Sequence, residues 1–320
     1  MDLHDSKKDK ISMVSSKAEV SRCRYLAPLT EVFGKAGISI LGNSGDVVES
    51  EALPWSAVCD AVYCIVVSTS SGKKRWPILY ASLQSMELFE RTIAVVNTGP
   101  CNEKNQPCTD KVAGLTWSHV LALHDARTRK FSRVLILEDD VYFYRPDLEK
   151  LLSACAASPS FQTHQTERAA LYLGGVYSSA SSIPYYGLQM GQSYQTHAYI
   201  MSVEHPAWDR VVQELLKGSP QMIDILIHNM LGPCWLAQPS VAFQRPFGTG
   251  NASVWSLSGL PRLYMYLTQC MRWLGIGNCW ESCARTTNKL VTIFGSIGSA
   301  VAAISGMLVV LMALVWKSVA

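Results

Sequence analysis

Three consecutive carboxylates, Glu138-Asp139-Asp140, stand directly behind the aliphatic run Val134-Leu135-Ile136-Leu137. Four branched aliphatics in a row read as a strand buried on both faces, the kind that lies in a sheet covered by helices. In open α/β sheets ligands bind outside the carboxyl ends of the strands, and the acidic run falls at such an end. Adjacent like charges repel unless a cation lies among them, and oxygen-only donors suit a hard divalent ion, Mn²⁺ or Mg²⁺. Two readings are open at this point: a metal site holding a phosphorylated substrate, or a solvated acidic turn.

A site of this kind needs a scaffold, and the surrounding sequence supplies alternating strand and helix patterns. Tyr63–Val67 reads as a strand that runs into a loop over 68–72. Pro77 opens a helix, a position where proline is tolerated, with Leu79, Leu83, Met86 and Phe89 on its apolar side. Thr92–Val96 is a second strand. Thr116 can cap a helix through Trp117, Val120, Leu121 and Leu123, and the strand Val134–Leu137 follows it. This β-α-β-α-β order predicts an α/β domain with right-handed crossovers and a mainly parallel sheet flanked by helices. Farther along, Leu171–Gly175, Ala198–Met201 and Trp235–Ala237 are strand-like. Pro206 starts a helix that ends near Gly218, and Ile223–Leu231 forms a short one. The Ser-, Tyr-, Gly- and Gln-rich stretch 176–196 reads as a long loop of the kind that carries function.

The chain has 320 residues, a net charge of +3 and 48% hydrophobic residues. That charge implies no polyanion-binding surface, and no basic stripe interleaved with aromatics points to nucleic acid. Val291–Trp316 comprises 26 residues without a charge, long enough for a transmembrane helix. Arg272, Arg285 and Lys289 precede it, against Lys317 behind. The N-terminus lacks the apolar core of a secretory signal. The expectation is therefore a single-pass C-terminal anchor with the bulk of the chain in the cytosol and the sequon Asn251-Ala252-Ser253 unmodified. The expected organisation is an N-terminal extension over 1–57 (partly mobile), a catalytic domain over 58–255, an interfacial segment over 256–290 and the span 291–316. The ten cysteines are scattered, without paired metal spacing, so free thiols are expected.

The segment Gly114-Leu115-Thr116-Trp117-Ser118-His119, then a helix, then Leu135-Ile136-Leu137-Glu138-Asp139-Asp140-Val141 resembles the core of family 25 glycosyltransferases, of the lipooligosaccharide-biosynthesis and collagen-galactosyltransferase type. That family shows a Gly-Cys-x-x-Ser-His motif ahead of an aliphatic-Glu-Asp-Asp strand end; here Leu115 stands in place of the cysteine. Arg75, His197–Ser202, the spacing Pro220-x-x-x-Asp224-x-x-Ile227 and Gln238-Pro239 to Gln244 extend the likeness over residues 60–245. The resemblance implies a GT-A-like fold and a metal-dependent transfer of a sugar from a nucleotide sugar to a hydroxyl of a glycan, lipid or protein. UDP-galactose is the donor it suggests.

By that resemblance Asp139 and Asp140 hold the metal, Glu138, Arg75, Ser118 and His119 contact the donor, and Asp224 is the base that takes the acceptor proton. Each has a plainer alternative. His119 reads as a hydrogen-bonded core histidine, and Asp224 as a carboxylate stabilised by the dipole of its own helix. Glu138 reads as a strand-end carboxylate bonded to backbone, and Arg75 or Lys74 as a solvated basic turn. His197 and Tyr199 are candidates for lining the acceptor cleft. Two other functions stay open: a catalytically silent, membrane-tethered scaffold, and a metal-dependent phosphoesterase. A serine hydrolase is excluded for lack of a nucleophile elbow, and no Gly-rich phosphate loop is present.

Overall fold

The computed structural model of the chain describes residues 38–42, 53–67, 70–97, 111–181, 188–194, 196–217, 222–244, 288–296, 298–300, 302–303 and 306. The strands are β1 (Ile38–Gly42), β2 (Ala61–Val67), β3 (Thr92–Asn97), β4 (Arg133–Glu138), β5 (Val141–Phe143), β6 (Ala170–Tyr172), β7 (Val176–Ala180), β8 (Leu188–Tyr194), β9 (Ala198–Ser202), β10 (Cys234–Ala237) and β11 (Ala242–Gln244). The helices are α1 (Ser70–Ser85), α2 (Lys111–Thr128), α3 (Arg145–Ala157), α4 (Pro159–His164), α5 (Ala207–Leu216) and α6 (Ile223–Leu231). Among the described residues nine strands form one sheet in the order β1-β3-β2-β4-β9-β6-β10-β8-β7, and β11 pairs with β5 in a separate ribbon.

The sheet is mixed in its pairing. β2, β3, β4, β6, β7 and β10 point one way, while β1, β8 and β9 point the other. The three strands predicted around the acidic run, β2, β3 and β4, are parallel neighbours joined by α1 and α2. On the other side β4 meets β9 antiparallel, with Leu137 opposite Ala198.

Period-two alternation along β4 divides its side chains between two cores. Val134 and Ile136 join Val120, Leu123 and Ala126 of α2 and Leu226 and Ile227 of α6. Leu135 and Leu137 face the opposite way, with Leu79 and Leu83 of α1 and Leu148, Leu151 and Leu152 of α3. Both faces are covered, which is why the strand reads as an unbroken aliphatic run.

Three local expectations are corrected. Helix α1 begins at Ser70, inside the expected loop, and Pro77 lies within it. Proline there costs one backbone hydrogen bond, outweighed by the buried stripe of Arg75, Leu79 and Leu83 at four-residue spacing. Helix α2 begins at Lys111, so Thr116 is a buried residue of the helix interior and not its cap. The stretch 176–196, expected as a loop, contains the antiparallel pair β7 and β8. Polar side chains occupy both faces of β8, with Gln189 and Ser193 buried and Gln192 half-buried.

The domain also takes in residues from both flanking segments. From 1–57, β1 pairs with β3 and Trp55 is fully buried, its indole N–H donating to the Met86 carbonyl. From the C-terminal side, residues 288–294 are helical and Asn288 is buried among three partners. Its Oδ1 accepts from the Tyr177 backbone N–H, and its Nδ2 donates to the Gly175 carbonyl and to Ser240 Oγ. Val291, expected to open the membrane span, is instead fully buried in the core, and Thr292 donates to Gln189 Oε1. Among the described residues no helix is long and apolar enough to cross a membrane. Most of 291–316 lies outside the described residues, as do 256–287 and the Asn251 sequon. The four described cysteines, Cys59, Cys64, Cys155 and Cys234, are free and buried.

Truncating Asn288 strands a buried N–H and a carbonyl at once, at about 1–3 kcal/mol for each unsatisfied group. Asn288→Ala is therefore expected to lower the unfolding free energy by about 3 kcal/mol, measured by urea denaturation of the full chain in detergent. An unchanged midpoint would show that residues 288–296 are not part of the cooperative fold.

Candidate active site at the end of β4

The alternation that divides the core also divides the three carboxylates. Glu138 leaves β4 on the face of Val134 and Ile136, toward α2 and α6. Asp139 and Asp140, past the strand end, meet the α1 side. Arg75 projects from the buried stripe of α1, and its Nη1 donates to Asp139 Oδ1 at 2.8 Å and to Asp140 Oδ2 at 3.4 Å. All three side chains are nearly excluded from water. An arginine one and two turns from Leu79 and Leu83 cannot be a solvated basic turn; it is the buried counter-charge of the acidic pair.

Asp140 also accepts from Gln244 Nε2 at 3.1 Å, because β11 lies against β5 with Gln244 opposite Val141. Its other oxygen, Oδ1, is buried and has no hydrogen-bond partner. Burial pushes the Asp140 carboxyl up to about 7 against the lowering effect of Arg75, with Asp139 adding to the rise. An orphaned carboxylate oxygen in a desolvated pocket is what a bound cation satisfies. Among the described residues no group of three or more His, Cys, Asp and Glu gathers as a ligand set for a metal. With that orphaned oxygen, the pair Asp139–Asp140 fits an ion held by one or two carboxylates together with substrate phosphates.

On the opposite face Glu138 Oε1 accepts from Thr196 Oγ1 at 2.9 Å. Desolvation raises the Glu138 carboxyl to about 8, helped by the charges of Asp140, Asp139 and Asp224. His119 Nε2 approaches Glu138 Oε1 at 3.8 Å. This is not an ion pair: burial lowers His119 to about 3, so at neutral pH the imidazole is uncharged. His119 Nδ1 pairs with Tyr199 Oη at 2.9 Å and the two rings stack. Histidine, tyrosine and glutamate thus form a buried polar patch behind the acidic pair, and His119 takes the role of a hydrogen-bonded core residue.

Asp224 stands in the first turn of α6, half-buried, with Oδ1 accepting from the Ile225 backbone N–H at 2.9 Å. Its charge reaches both Glu138 and Tyr172, so the predicted base lies on the Glu138 side of the strand end. Ser118 is not brought to the site: it is fully buried and donates back to the Gly114 carbonyl inside α2. The Lys74 side chain lies outside the described residues. His197 is buried beside Ala242, its Nε2 3.3 Å from that carbonyl, and is lowered to about 4 by burial. Gly174 makes this close packing possible, since a Cβ there would lie 1.9 Å from the Ala242 carbonyl oxygen and 2.9 Å from His197 Nε2.

Two site residues had no role from the sequence. Gln244 was part of the motif likeness only, and Thr196 was read as loop. Each contacts a carboxylate across more than fifty residues of chain, a pairing that no local pattern encodes.

No protein-family model matches the sequence, and no curated protein matches it. Among solved structures, the chain is similar to a glycosyltransferase involved in the glycosylation of the major capsid of PBCV-1. The identity is 10%, the match covers 60% of this chain and 95% of that one, and the TM-score is 0.34. It is also similar to UDP-glucose pyrophosphorylase complexed with UDP-glucose, at 10% identity over 59% of this chain and 76% of that one, with a TM-score of 0.32. Likenesses this loose carry no function, which has to come from the side chains.

The pKa shifts predict a pH dependence whose sign is set by two opposing groups. Glu138 and Asp140 bind protons more tightly when folded, so their contribution is present at low pH and is lost as pH rises toward about 8 and about 7. His119 and His197, depressed to about 3 and about 4, add stability as pH rises to their ordinary value of 6.5, and nothing beyond it. Above 6.5 only the carboxylates still titrate. The melting temperature in divalent-free buffer is expected to fall between about pH 6.5 and 8, and Glu138→Gln to flatten most of that slope. A flat wild-type profile across that window would contradict the buried, protonated Glu138.

Proposed function

We propose that this chain is a metal-dependent glycosyltransferase that moves a sugar from a nucleotide-sugar donor to an acceptor hydroxyl. The observation that carries the reading is the buried acidic pair at the carboxyl end of β4, with the orphaned Asp140 Oδ1 and Arg75 beside it. Transfer from a nucleotide sugar requires a departing diphosphate to be stabilised. A divalent ion held by Asp139 and Asp140 would supply Lewis-acid stabilisation of that leaving group. Arg75, fixed by its two carboxylate contacts, holds the pair in place and keeps it from repelling the incoming phosphates. Gln244 holds Asp140 through its other oxygen, Oδ2. Asp224 takes the proton of the acceptor hydroxyl; the hydrogen bond from Ile225 fixes one of its carboxylate oxygens. UDP-galactose is the donor to try first, on the motif resemblance.

One observation favours a silent binding protein instead: Arg75 already balances much of the acidic pair without any metal. Release of UDP from UDP-sugars by the purified chain, with and without Mn²⁺, separates the two, since the silent protein releases none. Within the enzyme reading, Asp224→Asn is expected to lower turnover by about 10²–10⁴-fold with donor affinity almost unchanged, because a base acts mainly in the transition state. A collapse of donor affinity at unchanged chemistry per bound complex would make Asp224 a binding residue.

A further inference from the structure

We propose that the stacked rings of Tyr194 and His228 form a platform on which the acceptor lies, and that this acceptor is a pyranose. The inference rests on the glycosyltransferase reading and assigns its second substrate a chemical class. Tyr194 ends β8 and His228 lies on α6; their ring centroids are 4.2 Å apart and their planes differ by 9°. Three elements hold this pair. Ser178 of β7 pairs with His228 Nε2 at 2.8 Å, and Gln192 of β8 donates from Nε2 to the His228 carbonyl at 3.1 Å. Both residues are half-buried. The exposed Asn229 lies beside them, its Oδ1 3.3 Å from His228 Nδ1.

Two features tie the pair to the site. Tyr194 precedes by two residues Thr196, whose hydroxyl donates to Glu138. His228 follows Asp224 by four residues on α6, which puts both on one side of the helix. The platform therefore lies one helical turn from the predicted base, on the Glu138 side of the β4 end. A pyranose presents a face of C–H bonds and a rim of hydroxyls. The C–H face suits a flat aromatic surface, and the rim suits the amide and carboxylate groups of Asn229 and Asp224. A simple aliphatic hydroxyl, as on a serine or threonine side chain, has no such face and gains nothing from a stacked pair.

The test uses the full chain, as wild type and as Tyr194→Ala and Tyr194→Phe. Saturation-transfer NMR with methyl β-galactoside, methyl β-glucoside and methyl α-mannoside reads sugar binding, and calorimetry with UDP and Mn²⁺ reads the donor site. At least one glycoside is expected to bind through its ring C–H protons, about tenfold more weakly in Tyr194→Ala and within about twofold in Tyr194→Phe, which keeps the ring. UDP affinity is expected to be equal in all three. If Tyr194→Ala also loses UDP, the loss is one of folding, and His228→Leu replaces it with the same tenfold expectation. UDP binding with no saturation transfer to any glycoside overturns the acceptor class and leaves the donor site standing. Equal glycoside binding by wild type and the ring-deleting variants places the sugar elsewhere and also overturns it. A wild type that binds no UDP removes the glycosyltransferase reading, and the acceptor platform with it.

Discussion

Asp140→Asn is expected to lower turnover at least about 10²–10³-fold while the protein melts at or above the wild-type temperature. The two halves of this expectation have one cause. Asp140 is nearly excluded from water, and burial raises its carboxyl to about 7 despite Arg75 beside it. Its charge is thus costly to the folded state and is kept for something other than stability. Asparagine has the same size, and its side-chain oxygen still accepts from Gln244. What it lacks is the negative charge on Oδ1, the oxygen without a partner. A site that trades stability for function behaves in this way when its charge is removed. Turnover is read as UDP release with Mn²⁺, and stability as the thermal midpoint without it. Undiminished turnover would sink the metal assignment; a sharp fall in melting temperature would show that Asp140 is structural.

Arg75→Met carries the largest expected effect on stability. The guanidinium is buried between two buried carboxylates, 2.8 Å from Asp139 and 3.4 Å from Asp140. Removing one partner of such a group leaves uncompensated charge in a dry environment, at about 3–5 kcal/mol. Methionine fills much of the volume beside Leu79 and Leu83, so little of that loss is packing. The double variant Arg75→Met/Asp139→Asn is expected to recover a substantial part of it, because the stranded charge is then gone. The deficit should also shrink as pH falls and Asp140 protonates. Chemical denaturation of the four proteins closes the cycle. Additive losses, with no recovery in the double variant, would mean that Arg75 and Asp139 do not act as a pair.

Much of the frame was legible locally. The aliphatic run ending in three carboxylates identified β4 and its acidic end, because a strand covered on both faces must be apolar at every position. The parallel unit of β2, β3 and β4 followed from strand-helix alternation. The polar hairpin of β7 and β8 was missed because its Ser, Gly, Tyr and Gln composition resembles a loop; its pairing partners, not its own hydropathy, make it a sheet edge. Helix starts were misplaced for a related reason: Pro77 and Thr116 are boundary signals on local statistics, and the buried stripes of α1 and α2 overrode them.

The sequence by itself determined that three acids gather at a strand end and that a histidine and an arginine accompany them. Only the tertiary structure decided how they are shared out. Strand alternation sends Glu138 toward α2 and α6, and the turn after β4 sends Asp139 and Asp140 toward α1. Arg75 meets Asp139 across 64 residues and Gln244 meets Asp140 across 104. Ser118, next to His119 in sequence, turns into its own helix, while Thr196, unmarked in sequence, reaches Glu138 because β9 lies against β4. Side-chain direction has a period of two along a strand and can be read from neighbours. The identity of the facing element depends on the order of strands in the sheet, which the whole chain sets at once.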